Sequence, residues 1–495
     1  MTALDAPPPA LSAPRAGRPT PAAAIIASVV VVELSSGVIQ GFLSPLLKNL
    51  TTALGITVAD LNWISIANLL ASAVFTPVLS RLGDLYGHRR ILRWNLALVL
   101  IGSLLVGVAR DFATLLTGQI LQGAIAGFFP LLVGILRNRP GAGDAESRRG
   151  ISVMVAALVA GMTLGLFASG AVAASIDNPT GALWVPAFAV TVAFAVSWPL
   201  LPETPTHHVG GIDWAGGLLL CAALVAIMLG LGLGGAPGWA WGSLRLWTLL
   251  IGGAVVLAAW IAVELRVPHP MIDVTMFRRR NVVVVSLVTV TFSFCMFGLQ
   301  IANPVFYGTT ETEAGYGLGL DPLGIGLAML PYLLAIALGA LLAPAVAARI
   351  TDRATLISGS ALMAVGYALS AAAHDSATTL IAANALAGIG IGFLQHSTRT
   401  LAVEAVPHDQ TSVGSGINEL LISVGGSLGA AVVLTVSAAH TPAGATLPGL
   451  GAYTTSWTLC AAVSLLGAGF ALLHRTRDDS ISPARDTAAA GKEHQ

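Results

Sequence analysis

Apolar stretches of about twenty residues recur along the whole chain, each closed by a short polar or arginine-bearing segment. They fall near 23–47, 61–80, 91–109, 113–136, 150–174, 182–201, 212–234, 245–265, 282–306, 322–348, 355–373, 377–401, 412–438 and 453–473. A helix rising about 1.5 Å per residue needs roughly 20 such residues to cross the hydrocarbon core of a bilayer. Unpaired backbone groups are too costly in lipid, and the alternation of a barrel strand is absent, so helices are the expected element. The pattern predicts an all-α membrane protein with about fourteen spans.

The basic residues sit on alternate connections. One set of loops holds Arg81, Arg89, Arg90 and Arg93; Arg137, Arg139, Arg148 and Arg149; Arg266 and Arg278 to Arg280; Arg349 and Arg353; and Arg475 and Arg477. The other set holds Lys48, Arg110 and Arg245. The positive-inside rule places the first set, and with it both termini, in the cytoplasm, which requires an even number of spans. Residues 1–22, rich in Pro and Ala, and residues 477–495, which are polar, read as disordered cytoplasmic tails. The first apolar run continues past Glu33 to about Leu47, too long for the core of a cleaved signal peptide.

Composition agrees with that reading and removes other classes. Of 495 residues, 55% are hydrophobic and 10% charged, against about a quarter charged in a soluble domain. The net charge is zero, which argues against a nucleic-acid partner. Cys221, Cys295 and Cys460 lie inside apolar runs and form no disulfide or metal-ligand pattern. His207-His208 is too sparse for a metal site. No phosphate-binding Gly-rich loop with Lys-Ser/Thr is present, so neither ATP, a cofactor nor enzyme chemistry is expected.

Between the second and third spans stands Leu79-Ser80-Arg81-Leu82-Gly83-Asp84-Leu85-Tyr86-Gly87-His88-Arg89-Arg90. An acid, a glycine and several bases pinned between two spans exceed what a connector needs. The segment resembles the loop after the second helix of the major facilitator superfamily of transporters, roughly Gly-x-Leu-x-Asp-Arg-x-Gly-Arg-Arg. Ser80 replaces the first glycine and Leu85 the usual arginine. The resemblance implies that Asp84, Gly87, Arg89 and Arg90 gate the cytoplasmic helix ends.

Over about residues 30–475 the chain is similar to the fourteen-helix drug:proton antiporter branch of that superfamily, above all to its high-GC bacterial members. Trp63, Leu69-Leu70 and Ala73-Val74-Phe75-Thr76-Pro77-Val78 match its second helix, with Asn68 where a tyrosine is common. Leu116-Thr117-Gly118-Gln119-Ile120-Leu121-Gln122-Gly123 matches the fourth-helix motif, with Gln119 at the arginine position associated with proton coupling. Gly161, Gly165 and Gly170 match the fifth-helix antiporter motif, whose usual proline is Leu166 here. Thr411 to Gly416, Asn418 and Gly425-Gly426 match the thirteenth helix, which lacks the arginine expected near Ile422. The resemblance implies a major facilitator fold: a six-helix bundle over 23–202, a linker with two extra helices over 203–270, and a second six-helix bundle over 271–476. Arg349-Ile350-Thr351-Asp352-Arg353 sits where the second half would repeat the first-half loop. Gly161 and Gly165 carry two readings, close helix packing and a bent gating helix that seals the cavity.

A carboxylate inside a span costs on the order of 3 kcal/mol at the centre, so intramembrane charges mark candidate sites. Glu33 lies near the middle of the first span, one turn before Ser36, where the family often has an aspartate. Glu419 and Arg399 fall at comparable depth on either side of the Pro407 turn, and His396 and Gln395 share the Arg399 face. Glu33, Glu419, His396 and Arg399 are therefore the proton-coupling candidates, against structural roles for each. Gln40, Asn68, Gln119, Gln122, Gln300 and Asn303 are the candidate substrate-binding groups, with Phe292, Phe294, Phe297, Phe306 and Tyr307 adding aromatic surface or simple packing.

The expected function is efflux of a hydrophobic small molecule, a drug, antibiotic or secondary metabolite, across the bacterial inner membrane by a monomer, driven by protons. Uniport or metabolite import stays open because three coupling signatures are altered, and a non-transporting sensor on the same scaffold is the rival from another class. Reporter fusions after Pro205 and at the C-terminus should both report the cytoplasm; an external C-terminus would overturn the arginine argument.

Overall fold

The computed structural model describes residues 22–43, 46, 54, 58–138, 143–175, 179–202, 213–234, 238–267, 270, 272–406, 410–442 and 447–475. Both expected tails, the 203–212 linker with His207 and His208, and the Pro407 turn lie outside the described residues. The long helices are α1 (Ala22–Gly41), α2 (Val58–Tyr86), α3 (His88–Val108), α4 (the span Phe112–Arg137), α5 (Asp144–Ser175), α6 (Val185–Leu200) and α7 (Trp214–Leu233). They continue as α8 (Leu244–Glu264), α9 (Arg280–Gly308), α10 (Pro322–Ile350), α11 (Asp352–Ala372), α12 (Ala377–Glu404), α13 (Thr411–Ala439) and α14 (Leu450–Ala471). Thirteen are long and apolar enough to cross a membrane. The fourteenth is α2, a 29-residue helix that carries Asn68, Ser72, Thr76 and Ser80.

Two apolar cores organise the chain. One is built from α1 to α6 around Val32, Leu96, Phe128, Leu132 and Met154, the other from α9 to α14 around Phe292, Ile336, Met363, Ile391 and Trp457. The pairings repeat. Helix α1 packs on α5 as α9 packs on α13, and α3 packs on α4 as α11 packs on α12. Between the halves, α2 meets α13 and α10 meets α5, the same contact generated twice by a pseudo-two-fold relation. The pair α7 and α8 packs on itself and lies against α2 and α13.

Close approach of α1 and α5 requires glycine. A Cβ on Gly161 would stand 2.2 Å from the Leu34 carbonyl oxygen, and one on Gly165 2.4 Å from that of Val38. Gly37 and Gly41 meet the α5 backbone equally closely from the other side. Backbone thus rests on backbone, the small-residue packing that substitutes in lipid for a hydrophobic driving force.

Two expectations about boundaries are corrected. The segment from Ser80 to Arg90 is not a loop: α2 runs through Asp84 to Tyr86, α3 begins at His88, and Gly87 alone separates them. Gly87 has φ 97°, a conformation that favours glycine, so one residue turns the chain. Thr351 makes the equivalent turn between α10 and α11 with φ 130°. A side-chain-bearing residue there stores strain of about 1–3 kcal/mol, offset in part because its hydroxyl caps Ala354 N–H at 3.2 Å. The second correction is α4, expected as one regular helix, which is broken by a 3-10 stretch at Gly123–Gly127. Side chains of its neighbours catch carbonyls there: Ser72 Oγ donates to Gly123 O at 3.0 Å and Asn95 Nδ2 to Ala124 O at 3.0 Å.

The halves are clasped at one end. Asp84, on the last turn of α2, accepts from the backbone N–H groups of Ser412 and Val413 at 3.2 and 3.1 Å. A carboxylate at the first turn of α13 satisfies two orphan donors and faces the positive end of the helix dipole. The base held by Asp84 is His88, with Nε2 at 2.9 Å, and not an arginine. Arg89 instead donates to the Trp198 carbonyl at the end of α6, and Arg90 is exposed. Beside this clasp Arg148 of α5 grips Asp352 of α11 at 2.7 Å and Glu404 of α12 at 2.7 Å, and Arg137 donates to the Val403 carbonyl. Ser152 of α5 meets His396 Nδ1 of α12 at 2.9 Å just inside them.

Asp84→Asn leaves one acceptor and removes the charge. Roughly 1 kcal/mol of the clasp should be lost, so a buried reporter thiol, Ser152→Cys, should react with maleimide about fivefold faster in that background. An unchanged rate would make Asp84 a connector only.

Candidate functional site

A cavity of about 250 Å³ lies between the two halves, lined from α1, α2, α4, α5, α9, α12 and α13. The chemistry of its wall follows from which residues these helices turn inward. Phe42, Phe129, Phe292, Phe297, Met162 and Met296 supply apolar, adaptable surface. Gln40, Asn68, Gln119, Gln300 and Gln395 supply amides. Gln40 and Gln300 are exposed, whereas Gln119 is buried, so the cavity is open at the end away from the clasp.

Its charged floor is formed by α12 and α13. Arg399 donates from Nε to Glu419 Oε1 at 2.6 Å and from Nη2 to Oε2 at 3.1 Å. A planar fork on a carboxylate is the geometry that fixes both partners. Nη1 donates to the Gln395 side-chain oxygen at 2.6 Å, and the guanidinium lies 4.6 Å from the centre of the Phe129 ring of the opposite half. Side-chain exposure of 4% and 11% makes this an ion pair held largely out of water.

Glu33 is different. It lines the same cavity, is 1% exposed, and its Oε1 has no hydrogen-bond partner among the described residues. It lies within electrostatic range of Arg399 and Glu419. The site therefore carries three ionisable groups, two locked together and one, Glu33, with an oxygen left unpartnered.

The structure separates the other candidates. Gln122 does not line the cavity; its Nε2 donates to Ser103 Oγ on α3 at 3.0 Å, a bond within the first bundle. Gln119 does face inward, with Asn68 Nδ2 donating to its backbone oxygen at 3.0 Å and the side-chain nitrogen left unpartnered. Asn303 belongs to a second, smaller cavity of about 60 Å³ inside the second bundle, where Trp457 donates to its Oδ1 and its Nδ2 donates to Asn384. His396 bonds to Ser152 and is not among the residues that line the cavity, so geometry links it to the clasp. Gly87 serves the turn, Gly161 and Gly165 the α1–α5 contact. Phe294 and Phe306 are buried in the core of the second bundle. Sequence reasoning missed Arg148, Asp352 and Glu404 as a group, although the degenerate repeat around Asp352 carried the signal. No group of His, Cys, Asp and Glu among the described residues could hold a metal.

The family model of the Major Facilitator Superfamily matches residues 29–317 and 285–492. The chain belongs to the major facilitator superfamily. It is a multi-span membrane protein of a transporter family, and not an enzyme. Among its relatives, the puromycin resistance protein pur8 of Streptomyces alboniger is 30% identical over 85% of this chain and 82% of its own length. The multidrug resistance protein Stp of Mycobacterium tuberculosis is 26% identical over 77% of this chain and 69% of its own. The tetracenomycin C resistance and export protein of Streptomyces glaucescens is 25% identical over 84% and 76%. The human organic anion transporter MFSD10 shares the fold at TM-score 0.64 and 17% identity, covering 91% of this chain and 99% of its own. The proton:xylose symporter XylE does so at TM-score 0.62 and 13% identity, covering 90% and 94%.

Removing one member of the Arg399–Glu419 pair strands the other in a low-dielectric site, at a cost of about 3–5 kcal/mol. Arg399→Gln or Glu419→Gln alone should therefore lower folded yield in the membrane more than the double variant does. Strictly additive losses would mean that the two do not interact.

Proposed function

We propose that this protein exports an uncharged or weakly charged hydrophobic small molecule from a bacterial cell, by proton-coupled antiport and alternating access. The observation that carries the reading is Glu33: a carboxyl buried in the inter-half cavity, one oxygen unpartnered, beside an ion pair that is already neutral as a unit. Resistance and export relatives from high-GC bacteria support the outward direction. In this reading the clasp at Asp84 and Arg148 holds the state whose cavity opens to the outside, and both termini lie in the cytoplasm of a monomer embedded in the inner membrane. Residues 23–202 and 271–476 move as two bundles, with 203–270 contributing the extra helix pair.

The cycle follows from charge accounting. In the outward-open state Glu33 takes a proton from the far side, which makes the cavity dry enough to close. When the clasp opens, the proton leaves to the cytoplasm and the substrate enters against an apolar wall of Phe and Met. The cation that the family places at the Gln119 position is here Arg399, which enters the same cavity from α12 rather than α4. The altered Gln119, Leu166 and Ile422 then mark a relocated coupling site rather than a lost one.

Glu33→Gln should abolish gradient-driven efflux of a fluorescent drug while leaving its binding to the purified protein within about twofold. Wild-type efflux should collapse on adding a protonophore. Efflux indifferent to the protonophore would sink antiport and favour facilitated, uncoupled movement.

A further inference from the structure

The smaller cavity adjoins the larger one: Met162, Met296 and Gln300 line both. It extends between α9, α10, α11 and α12, and three phenols line it, Tyr307, Tyr332 and Tyr367. Tyr307 is 2% and Tyr367 1% exposed. None of the three hydroxyls makes a hydrogen bond with another described residue, whereas two buried tyrosines nearby are partnered: Tyr316 donates to Pro448 O at 2.6 Å and lies 3.4 Å from the Tyr453 hydroxyl. Tyr332 is only partly buried, and a cavity-lining hydroxyl with no protein partner is free to bond what enters the cavity.

Of the other polar side chains of this pocket, Gln300 is exposed and shared with the main cavity, and the two asparagines are engaged. Asn303 and Asn384 bond to each other at 2.9 Å; Asn303 also accepts from Trp457, and Asn384 donates to Leu380 O at 2.9 Å. What the pocket offers is therefore an excess of phenolic donors set in apolar surface from Leu299, Leu333, Met296 and Met329. No Lys, Arg or His lines it, so an anion would be desolvated without a counter-charge. At about 60 Å³, against about 250 Å³ for the main cavity, it is a side pocket beside a larger chamber.

We propose that this pocket is a specificity subsite of the transport cavity, which receives an uncharged oxygen acceptor, a carbonyl or ether oxygen, projecting from the substrate while its apolar body stays among Phe292, Phe297 and Phe129. The proposal rests on the transport reading for the identity of the main cavity, but its test does not require transport. A substrate lacking such an oxygen leaves the phenols unpaired and is bound more weakly, since a site built to bond a polar group discriminates against the analogue that lacks it. Tyr307, Tyr332 and Tyr367 are the specificity-determining residues.

The probes are benzophenone and diphenylmethane, which differ by one carbonyl oxygen, bound to the purified full-length protein in lipid nanodiscs. Wild type should prefer benzophenone by about 3–10-fold over its preference in empty nanodiscs, the equivalent of one net hydrogen bond. Tyr307→Phe, Tyr332→Phe and Tyr367→Phe combined should bring the ratio to that of empty nanodiscs by weakening benzophenone alone, and Tyr86→Phe, at an exposed position, should leave it unchanged. Irradiation of bound benzophenone, which adds a neighbouring C–H bond across its carbonyl to give a tertiary alcohol, should label Met296 or Met329. A wild-type ratio equal to that of empty nanodiscs, a preference that survives the triple change, or equal weakening of both probes would overturn the subsite and leave water as the occupant. Failure of the transport reading would appear separately, as absent efflux by a protein that still discriminates between the probes.

Discussion

Every charge that this fold carries into its interior has to be answered there, and that constraint organises the molecule. Coulomb attraction is weakly screened away from water, and an unanswered charge is correspondingly costly. The three answers differ. Arg399 and Glu419 neutralise each other within one half. Asp84 is answered by the N-terminus of α13 and by His88, across the two halves. Arg148 is answered by two carboxylates, Asp352 and Glu404, also across the halves. The last two hold only while the halves touch at that end, so the same electrostatics that stabilise the closed end must be broken for it to open. Breaking them exposes the groups to water, which repays much of the loss, and two states of comparable free energy become possible.

The internal repeat explains why the clasp has two parts. The α2–α3 and α10–α11 junctions are each a single residue in a left-handed conformation, Gly87 and Thr351, and each places an aspartate beside the other half. Asp84 reaches the first turn of α13; Asp352 reaches Arg148 near the start of α5. Since α5 and α13 are the equivalent helices of the two halves, these are one contact made twice with different chemistry, a helix end in one case and a guanidinium in the other. The tight α1–α5 and α9–α13 seams inside each half, with Gly161 against Leu34 and Gly429 against Phe294 at backbone distance, leave little freedom within a bundle. The interface between the bundles is different, with polar contacts at its clasped end.

Much of this was legible in the sequence. Span positions and number follow from the apolar period because lipid permits so few alternatives. The pairing of Arg399 with Glu419 follows from depth on two successive helices, since a hairpin forces them together. Helix facing is less legible. Gln119 and Gln122 are three apart on α4, yet one faces the cavity and the other α3, because three residues leave about 60° between side chains around a regular helix. His396 shares a face with Arg399 in sequence, yet its ring turns to Ser152 on α5. The junction at Asp84 reads as a loop because arginine, glycine and aspartate are loop-like in composition; it is helical because Gly87 alone suffices to reverse the chain.

The altered motif positions then acquire a physical account. Gln119 stands where the family resemblance implies an arginine, and a cavity with Glu33 and Glu419 but no cation would hold two carboxyls with nothing to balance either. Arg399 supplies the balance from α12, and in doing so it ties up Glu419 through both oxygens. A carboxylate engaged in that way is fixed in place by two charge-assisted bonds. Glu33 is left with an unpartnered oxygen. Which acid is held and which is left unpaired is thus decided by where the cation enters, and a cation on α12 rather than α4 selects Glu419 as the one that is held.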